Sequence, residues 1–375
     1  MNRRADYASY VAVLAATGCS PSYVYTPPPP PVPECVPEKP IAGTGLRVQG
    51  NRIVDGAGQE FRFHGVNRAG SEYKCAMGQG IFDGPVDDAA ITAMVGWHVN
   101  SVRIPLNEDC WLGINGVSDA FAGMAYQNEI AAYIDRLHSQ GLYAIVELHW
   151  NAPGTNLANR DNNQQPMADA DHSPDFWSSV AQRFKGDPMI VFDLYNEPFV
   201  SDKNTSADPW SCWRDGCTIT SSKGMSEPWQ TAGMQSLLDA VRATGAEQMV
   251  MLGGLDYTHD LSGWKSHRPH DPLCNSAPAY HQYQTDCETE SCWNFRLPDI
   301  LATLPVITGE IGEGDCLHDF IDLYLTWADA HGMSYLAWAW NVSDCSSFPA
   351  LIRGYNGTPT NFGIGYRDHL LATAP

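Results

Sequence analysis

Eight short apolar runs, each four to eight residues long and separated by helical patterns or long loops, constrain this chain more than any other feature. They lie at Phe61 to Asn67, Ser101 to Pro105, Leu142 to His149, Ile190 to Tyr195, Gln248 to Leu252, Ala279 to Tyr283, Val306 to Gly309 and Ser334 to Trp338. Runs this short and rich in Val, Ile, Leu and Phe are expected to be buried on both faces, as in a parallel sheet. Helical patterns fall between them: Val86 to Trp97 behind Pro85, Ala125 to Gln140 stopped by Gly141, Pro174 to Lys185, Trp229 to Thr244 stopped by Gly245, and Leu317 to His331 stopped by Gly332. Eight strand-then-helix units predict an α/β fold, a (β/α)8 barrel with its functional groups at the C-terminal strand ends. A doubly wound open sheet is the alternative, but no Gly-rich phosphate loop opens a helix. A hairpin from Gly45 is expected before the first strand. The segments Val200 to Pro228, Asp256 to Pro278 and Gln284 to Leu297 are too long for plain turns and are expected to wall the upper face.

Two of these runs, F-D-L-Y-N-E-P (Phe192 to Pro198) and V-I-T-G-E-I-G (Val306 to Gly312), each deliver a glutamate to a strand end. Desolvating a carboxylate is costly, and a chain keeps two of them there mainly for chemistry. A pair of carboxylates across a sugar acetal is what glycoside hydrolysis needs: one protonates the leaving oxygen, and the other attacks the anomeric carbon or activates water.

The formal charge of −21 argues against nucleic acid, an anionic membrane surface or an acidic polymer as partner, and favours a neutral substrate. Eleven cysteines are too many for an ordinary cytosolic enzyme. Residues 1–19 fit an export leader: Arg3 and Arg4, an apolar run from Tyr10 to Ala16, then Thr17-Gly18-Cys19. The pattern resembles a bacterial lipoprotein signal, which would lipidate Cys19 and tether the protein to a membrane at the cell surface or in the periplasm; an ordinary cleaved signal would leave it secreted. No run of 18 apolar residues follows. Residues 20–40, with Pro27 to Pro31, Pro33, Pro37 and Pro40, read as an extended polyproline spacer, pinned at its far end by a disulfide through Cys35. Residues 41–375 are then the catalytic barrel, expected to be a monomer. Ten cysteines remain after Cys19, an even number that suits disulfides. The expected pairs are Cys75–Cys110 and Cys316–Cys345, each joining adjacent strand ends, and Cys212–Cys217 within one loop. Zinc at Cys212, Cys217, Cys287 and Cys292 is the weighed alternative; their spacing is looser than usual for it, and neither metal nor cofactor is expected.

From about Gly45 to Leu371 the chain resembles glycoside hydrolase family 5, the cellulase-like barrel glycosidases with catalytic glutamates after strands four and seven. The resemblance rests on Asn196-Glu197-Pro198 paired with Gly309-Glu310. It implies Glu197 as acid/base and Glu310 as nucleophile of a retaining double displacement. It also implies a supporting set. Arg103 in S-V-R-I-P would orient the nucleophile, His149 in V-E-L-H-W would meet a sugar hydroxyl, and Asn196 would hold the 2-hydroxyl. His281 and Tyr283 in A-Y-H-Q-Y would support the acid/base and touch the nucleophile. Trp338 in A-W-A-W-N would floor the cleaved sugar's subsite, with Trp340 as its alternative. His64 is expected to line the floor as well. Twelve tryptophans are many for this length, and Trp111, Trp150, Trp210, Trp213, Trp264 and Trp293 fall in the upper loops, as stacking platforms or as core.

The expected activity is hydrolysis of a neutral β-linked glycan, first an endo-β-1,4-glucanase, with a β-mannanase, a β-1,3- or mixed-linkage glucanase or an exo-β-glycosidase beside it. A glycan-binding lipoprotein without turnover is the non-enzyme reading, and a lipase lacks a Gly-x-Ser-x-Gly elbow.

Overall fold

The computed structural model describes residues 35–161 and 164–373; the leader, Cys19 and spacer residues 20–34 lie outside the described residues. Eight strands close into one barrel: β1 (His64–Asn67), β2 (Ser101–Asn107), β3 (Tyr143–Trp150), β4 (Ile190–Asp193), β5 (Val250–Gly253), β6 (Ser276–Tyr283), β7 (Ile307–Gly312) and β8 (Ser334–Ala337). Every neighbouring pair is parallel, and β8 returns to β1 through Tyr335 opposite His64.

The barrel interior is filled by Ile145, Val191, Met251, Ala279, Ile307 and Leu336. Leu46, Ile53 and Phe63 plug this core from the N-terminal side, brought there by a small antiparallel sheet of Arg47–Gln49, Arg52–Val54 and Glu60–Phe61. That sheet shortens the expected first strand. Glu60 and Phe61 pair with Val54 and Ile53, so the barrel strand starts only at His64. His64 therefore lies at the N-terminal end of β1, stacked on Tyr335 with centroids 4.8 Å apart, and not on the floor of the upper face.

Helices cover the outside. Asp88–Val95 begins at Asp87, whose side chain accepts from the Ala90 amide. Met124–Ser139, Ser173–Phe184 and Asp319–Ala330 follow the expected periodicity, and a further helix, Asn361–Thr373, lies outside every expected element. The expected helix from Trp229 begins only at Gly233, because Trp229–Gln230 pairs with Thr218–Ile219 as a short ribbon. Gly233 has φ +72°, and a side chain there would run into the Gly216 backbone; only glycine permits that approach. The crossover 254–275 contains no α-helix.

The described cysteines are all disulfide-bonded. Cys75–Cys110 and Cys316–Cys345 staple neighbouring loops, with Cα separations of 6.1 and 4.9 Å, while Cys212–Cys217 and Cys287–Cys292 close short loops. The four loop cysteines are thus spent on sulfur, not zinc.

Most loop tryptophans are core. Trp111, Trp213, Trp264 and Trp293 are fully buried, and their indole N–H groups donate to Ser179 Oγ and to the Gly253, Leu252 and Cys287 carbonyls. Trp150 is buried beside Tyr73, and Trp210 is half-buried against His267. A large apolar ring with one donor is stable inside when the donor finds a carbonyl or hydroxyl, as these four do.

Candidate active site

Past β4 the chain runs through Asn196, whose amide donates to the Leu148 carbonyl at 3.0 Å, into Glu197. Glu197 has φ +49°, left-handed backbone that costs a non-glycine residue about 1–3 kcal/mol. Strain of this kind persists where surrounding structure fixes it. On β7 the other glutamate sits at an irregularity: Tyr280 pairs with Thr308, but the next residue, His281, pairs with Glu310. The extra residue is Gly309, and bulges of this sort re-aim side chains at barrel rims.

The two carboxylates meet across the barrel mouth. An oxygen of Glu197, an oxygen of Glu310 and a ring nitrogen of His281 all lie within 4.8 Å of one another. Their surroundings differ in charge. Glu310 Oε1 accepts from Arg103 Nη1 at 2.8 Å, and its Oε2 accepts from the Tyr283 hydroxyl at 2.6 Å. Glu197 Oε1 lies 2.9 Å from His281 Nδ1, and its Oε2 accepts from Gln164 Nε2 at 2.9 Å. Burial, with Arg103 and His259 nearby, outweighs the pull of Glu310 and lowers His281 to about 3. The ring is therefore neutral at ordinary pH and donates through Nδ1 to a carboxylate that can only accept. One glutamate faces a fixed cation, and the other faces neutral donors only.

Arg103 is fully buried and spends its whole fork: Nε on Asp193 Oδ2 at 2.9 Å, Nη1 on Asn67 Oδ1 at 3.0 Å as well as on Glu310, and Nη2 on Asn196 Oδ1 at 3.0 Å. Asn67 donates in turn to the Gly309 carbonyl at 2.9 Å, which fixes the bulge beneath Glu310. His149 Nδ1 lies 3.0 Å from Glu147 Oε2. Burial opposes its charge, but Glu147 prevails and raises it to about 9. The His149 ring stacks on Trp338 at 5.4 Å and 13°. Trp338 is half-buried just past the end of β8, whereas Trp340 is fully buried against Trp97 at 4.7 Å, its Nε1 donating to no group among the described residues.

Glu197, Glu310, Arg103, His149, Asn196, His281, Tyr283 and Trp338 thus converge on the C-terminal mouth of the barrel. Sequence reasoning passed over Asn67, Glu147, Asp193 and Gln164. Asp193 and Glu147 carried the signal used for Glu197, a carboxylate inside an apolar strand; Asn67 closes the first strand in F-H-G-V-N; Gln164 carried none.

A family model described as cellulase (glycosyl hydrolase family 5) matches residues 54–344. Among curated proteins, a mannan endo-1,4-beta-mannosidase of Streptomyces lividans is 22% identical over 311 residues, spanning 80% of this chain and 67% of that protein. Among solved structures, a β-glucanase from Saccharophagus degradans in complex with cellotetraose superposes with a TM-score of 0.65 at 20% identity, covering 91% of this chain and 98% of the other. A β-mannanase from Streptomyces thermolilacinus with mannohexaose gives a TM-score of 0.62 at 20% identity, covering 89% and 97%.

Proposed function

The chain belongs to glycosyl hydrolase family 5 and is a glycoside hydrolase, and from that premise we propose a retaining endo-β-1,4-glycanase with Glu310 as nucleophile and Glu197 as acid/base. The observation that carries the assignment is the unlike charge around two neighbouring carboxylates. A nucleophile must stay ionised, and the Arg103 guanidinium beside Glu310 favours that state. An acid/base must gain and lose a proton in each cycle, and the neutral His281 and Gln164 leave Glu197 free to do both. Retaining enzymes hold their carboxyl groups about 5–5.5 Å apart and inverting ones about 6.5–9.5 Å, and the close approach here supports retention.

In the first step Glu310 attacks the anomeric carbon while Glu197 gives its proton to the departing glycosidic oxygen. In the second, Glu197 takes a proton from water as the water oxygen bonds to the anomeric carbon and the Glu310–C1 bond breaks, which returns Glu310 as a carboxylate. Tyr283 and Arg103 orient Glu310, Asn196 meets the 2-hydroxyl, and Trp338 with His149 forms the wall against which the cleaved sugar stacks.

The glycan is a neutral β-1,4-linked hexose polymer. Glucan is supported by the cellotetraose-bound neighbour, and mannan at least as well by the Streptomyces lividans relative and the mannohexaose-bound neighbour. The net charge of −21 and the disulfides support an exported protein acting on an uncharged polymer, either secreted or tethered through Cys19. The deciding experiment is hydrolysis of cello- and manno-oligosaccharides followed by proton NMR. The β-anomer is expected as first product, and a 2-fluoro glycoside should label Glu310; the α-anomer, or a label on another residue, would overturn the assignment.

A further inference from the structure

Glu197 has one partner that no strand-end motif supplies. Gln164 belongs to the loop between β3 and the helix Ser173–Phe184, and its Nε2 donates to Glu197 Oε2 at 2.9 Å. The residues that follow it are tied to the segment carrying Glu197, one on each side. The Tyr195 hydroxyl donates to the Gln165 carbonyl at 2.8 Å, and the Phe199 amide donates to the Pro166 carbonyl at 3.0 Å. Tyr195 is itself buried, and its hydroxyl also lies 2.9 Å from Asn151 Oδ1. The amide therefore reaches the carboxylate from a stretch whose next two residues are both tied to the segment that carries Glu197.

We propose that Gln164 is a positioning residue for the acid/base, holding the Glu197 carboxyl in the orientation that reaches the leaving-group oxygen. The inference rests on the reading of Glu197 as acid/base. With His281 on one oxygen and Gln164 on the other, the carboxyl plane is fixed at two points by neutral groups, so orientation is held without a charge that would oppose protonation. In the glycosylation step the Glu197 O–H bond breaks and its proton joins the glycosidic oxygen as the C1–O bond breaks and the Glu310–C1 bond forms. Gln164 exchanges no proton. Its loss slows the step only where the leaving group needs that proton.

The test compares wild type, Gln164→Leu and Gln164→Asn on an oligosaccharide and on a dinitrophenyl glycoside. Gln164→Leu should lower kcat/KM about tenfold on the oligosaccharide and leave the activated glycoside within about twofold, since general acid assistance is worth about 10²–10⁴-fold and only its orientation is weakened. Gln164→Asn should recover part of the loss. In a Glu197→Ala background the Gln164→Leu change should have no further effect, because the carboxyl it positions is gone. Equal loss on both substrates, or an effect that persists in that background, would overturn the proposal. Glu197→Ala is assayed alone as well: if azide fails to restore its turnover of the activated glycoside, the acid/base reading fails first and the proposal with it.

Discussion

Glu147 and Asp193 stand opposite each other on β3 and β4, and Arg103 lies against both, its Nη2 3.4 Å from Glu147 Oε1 and its Nε 2.9 Å from Asp193 Oδ2. Glu310 is the third carboxylate on the same guanidinium. All four groups are buried. Burial works against the Arg103 charge, and the three carboxylates together outweigh it and raise the guanidinium above its ordinary value. Arg103 and the protonated His149 beside Glu147 are two cations against three carboxylates, and burial pushes Asp193 up to about 7 against the pull of Arg103.

Arg103→Met should therefore be severe. It takes their shared cation from three buried carboxylates, of which Glu147 alone keeps another in His149, and breaking one such pair costs about 3–5 kcal/mol. Denaturant unfolding should show a loss at least that large. Arg103→Lys keeps the charge but loses the fork to Asp193, Asn67, Asn196 and Glu310. It should fold, with kcat down by about 10²–10³-fold. Near-wild-type kcat in that variant would show that charge alone suffices.

Stability should bend at both ends of the pH range through two histidines of opposite sign. His149 has its folded value raised to about 9, above its unfolded 6.5, so the folded state binds the proton more tightly. Its contribution is complete below about 6.5 and lost as pH rises through about 9. His281 is lowered to about 3, so its contribution is complete above about 6.5 and lost as pH falls through about 3. His149→Gln should flatten the alkaline decline of Tm, and His281→Gln the acid one, each by a few degrees. Thermal unfolding at half-unit pH steps checks both. An unchanged slope in either variant removes that histidine from the account.

Much of this site was legible in the sequence because the chemistry breaks a local rule. A glutamate closing an apolar run, as at Glu197 and Glu310, or an arginine inside one, as at Arg103, conflicts with burial and so announces itself. The same conflict was present at Glu147 and Asp193, one residue type short of a motif. Gln164 was not legible. A polar residue in a long loop breaks no rule, and its place depends on where Tyr195 and Phe199 tie the loop down.

The fold was legible to the extent that local pattern decides pairing. Short buried runs between helices give a barrel, but Phe61 opens the first apolar run while it pairs, with Glu60 before it, to Ile53 and Val54, which no periodicity reveals. Likewise, a tryptophan's position in a loop says nothing of where its ring points. The helix Pro209–Asp215 turns Trp213 inward to the Gly253 carbonyl.

Trp338 and Trp340, two residues apart on the chain, should separate binding from stability. Trp338→Ala removes a half-buried ring stacked on His149 and should cut kcat/KM on oligosaccharides about 10–100-fold with little change in Tm. Trp340→Ala empties a buried site beside Trp97 and should cost about 3–5 kcal/mol. Steady-state kinetics and urea unfolding on both variants decide the matter. The reverse pattern would move the sugar wall to Trp340.

The disulfides should differ in worth according to the chain they close. Cys75 and Cys110 are 35 residues apart and join the loop after β1 to the short helix Glu108–Leu112 that follows β2. Cys212 and Cys217 are separated by only 5. Cross-linking removes loop entropy from the unfolded chain in proportion to the logarithm of loop length, about 4 kcal/mol for the first and about 2 kcal/mol for the second. The double change Cys75→Ser with Cys110→Ser should lower the urea midpoint more than Cys212→Ser with Cys217→Ser. Buried packing reinforces the order, since Cys75 and Cys110 both lie in the core whereas Cys217 is only partly buried. Equal midpoints for the two double variants would mean that unfolded-chain entropy does not govern the contribution of these bonds.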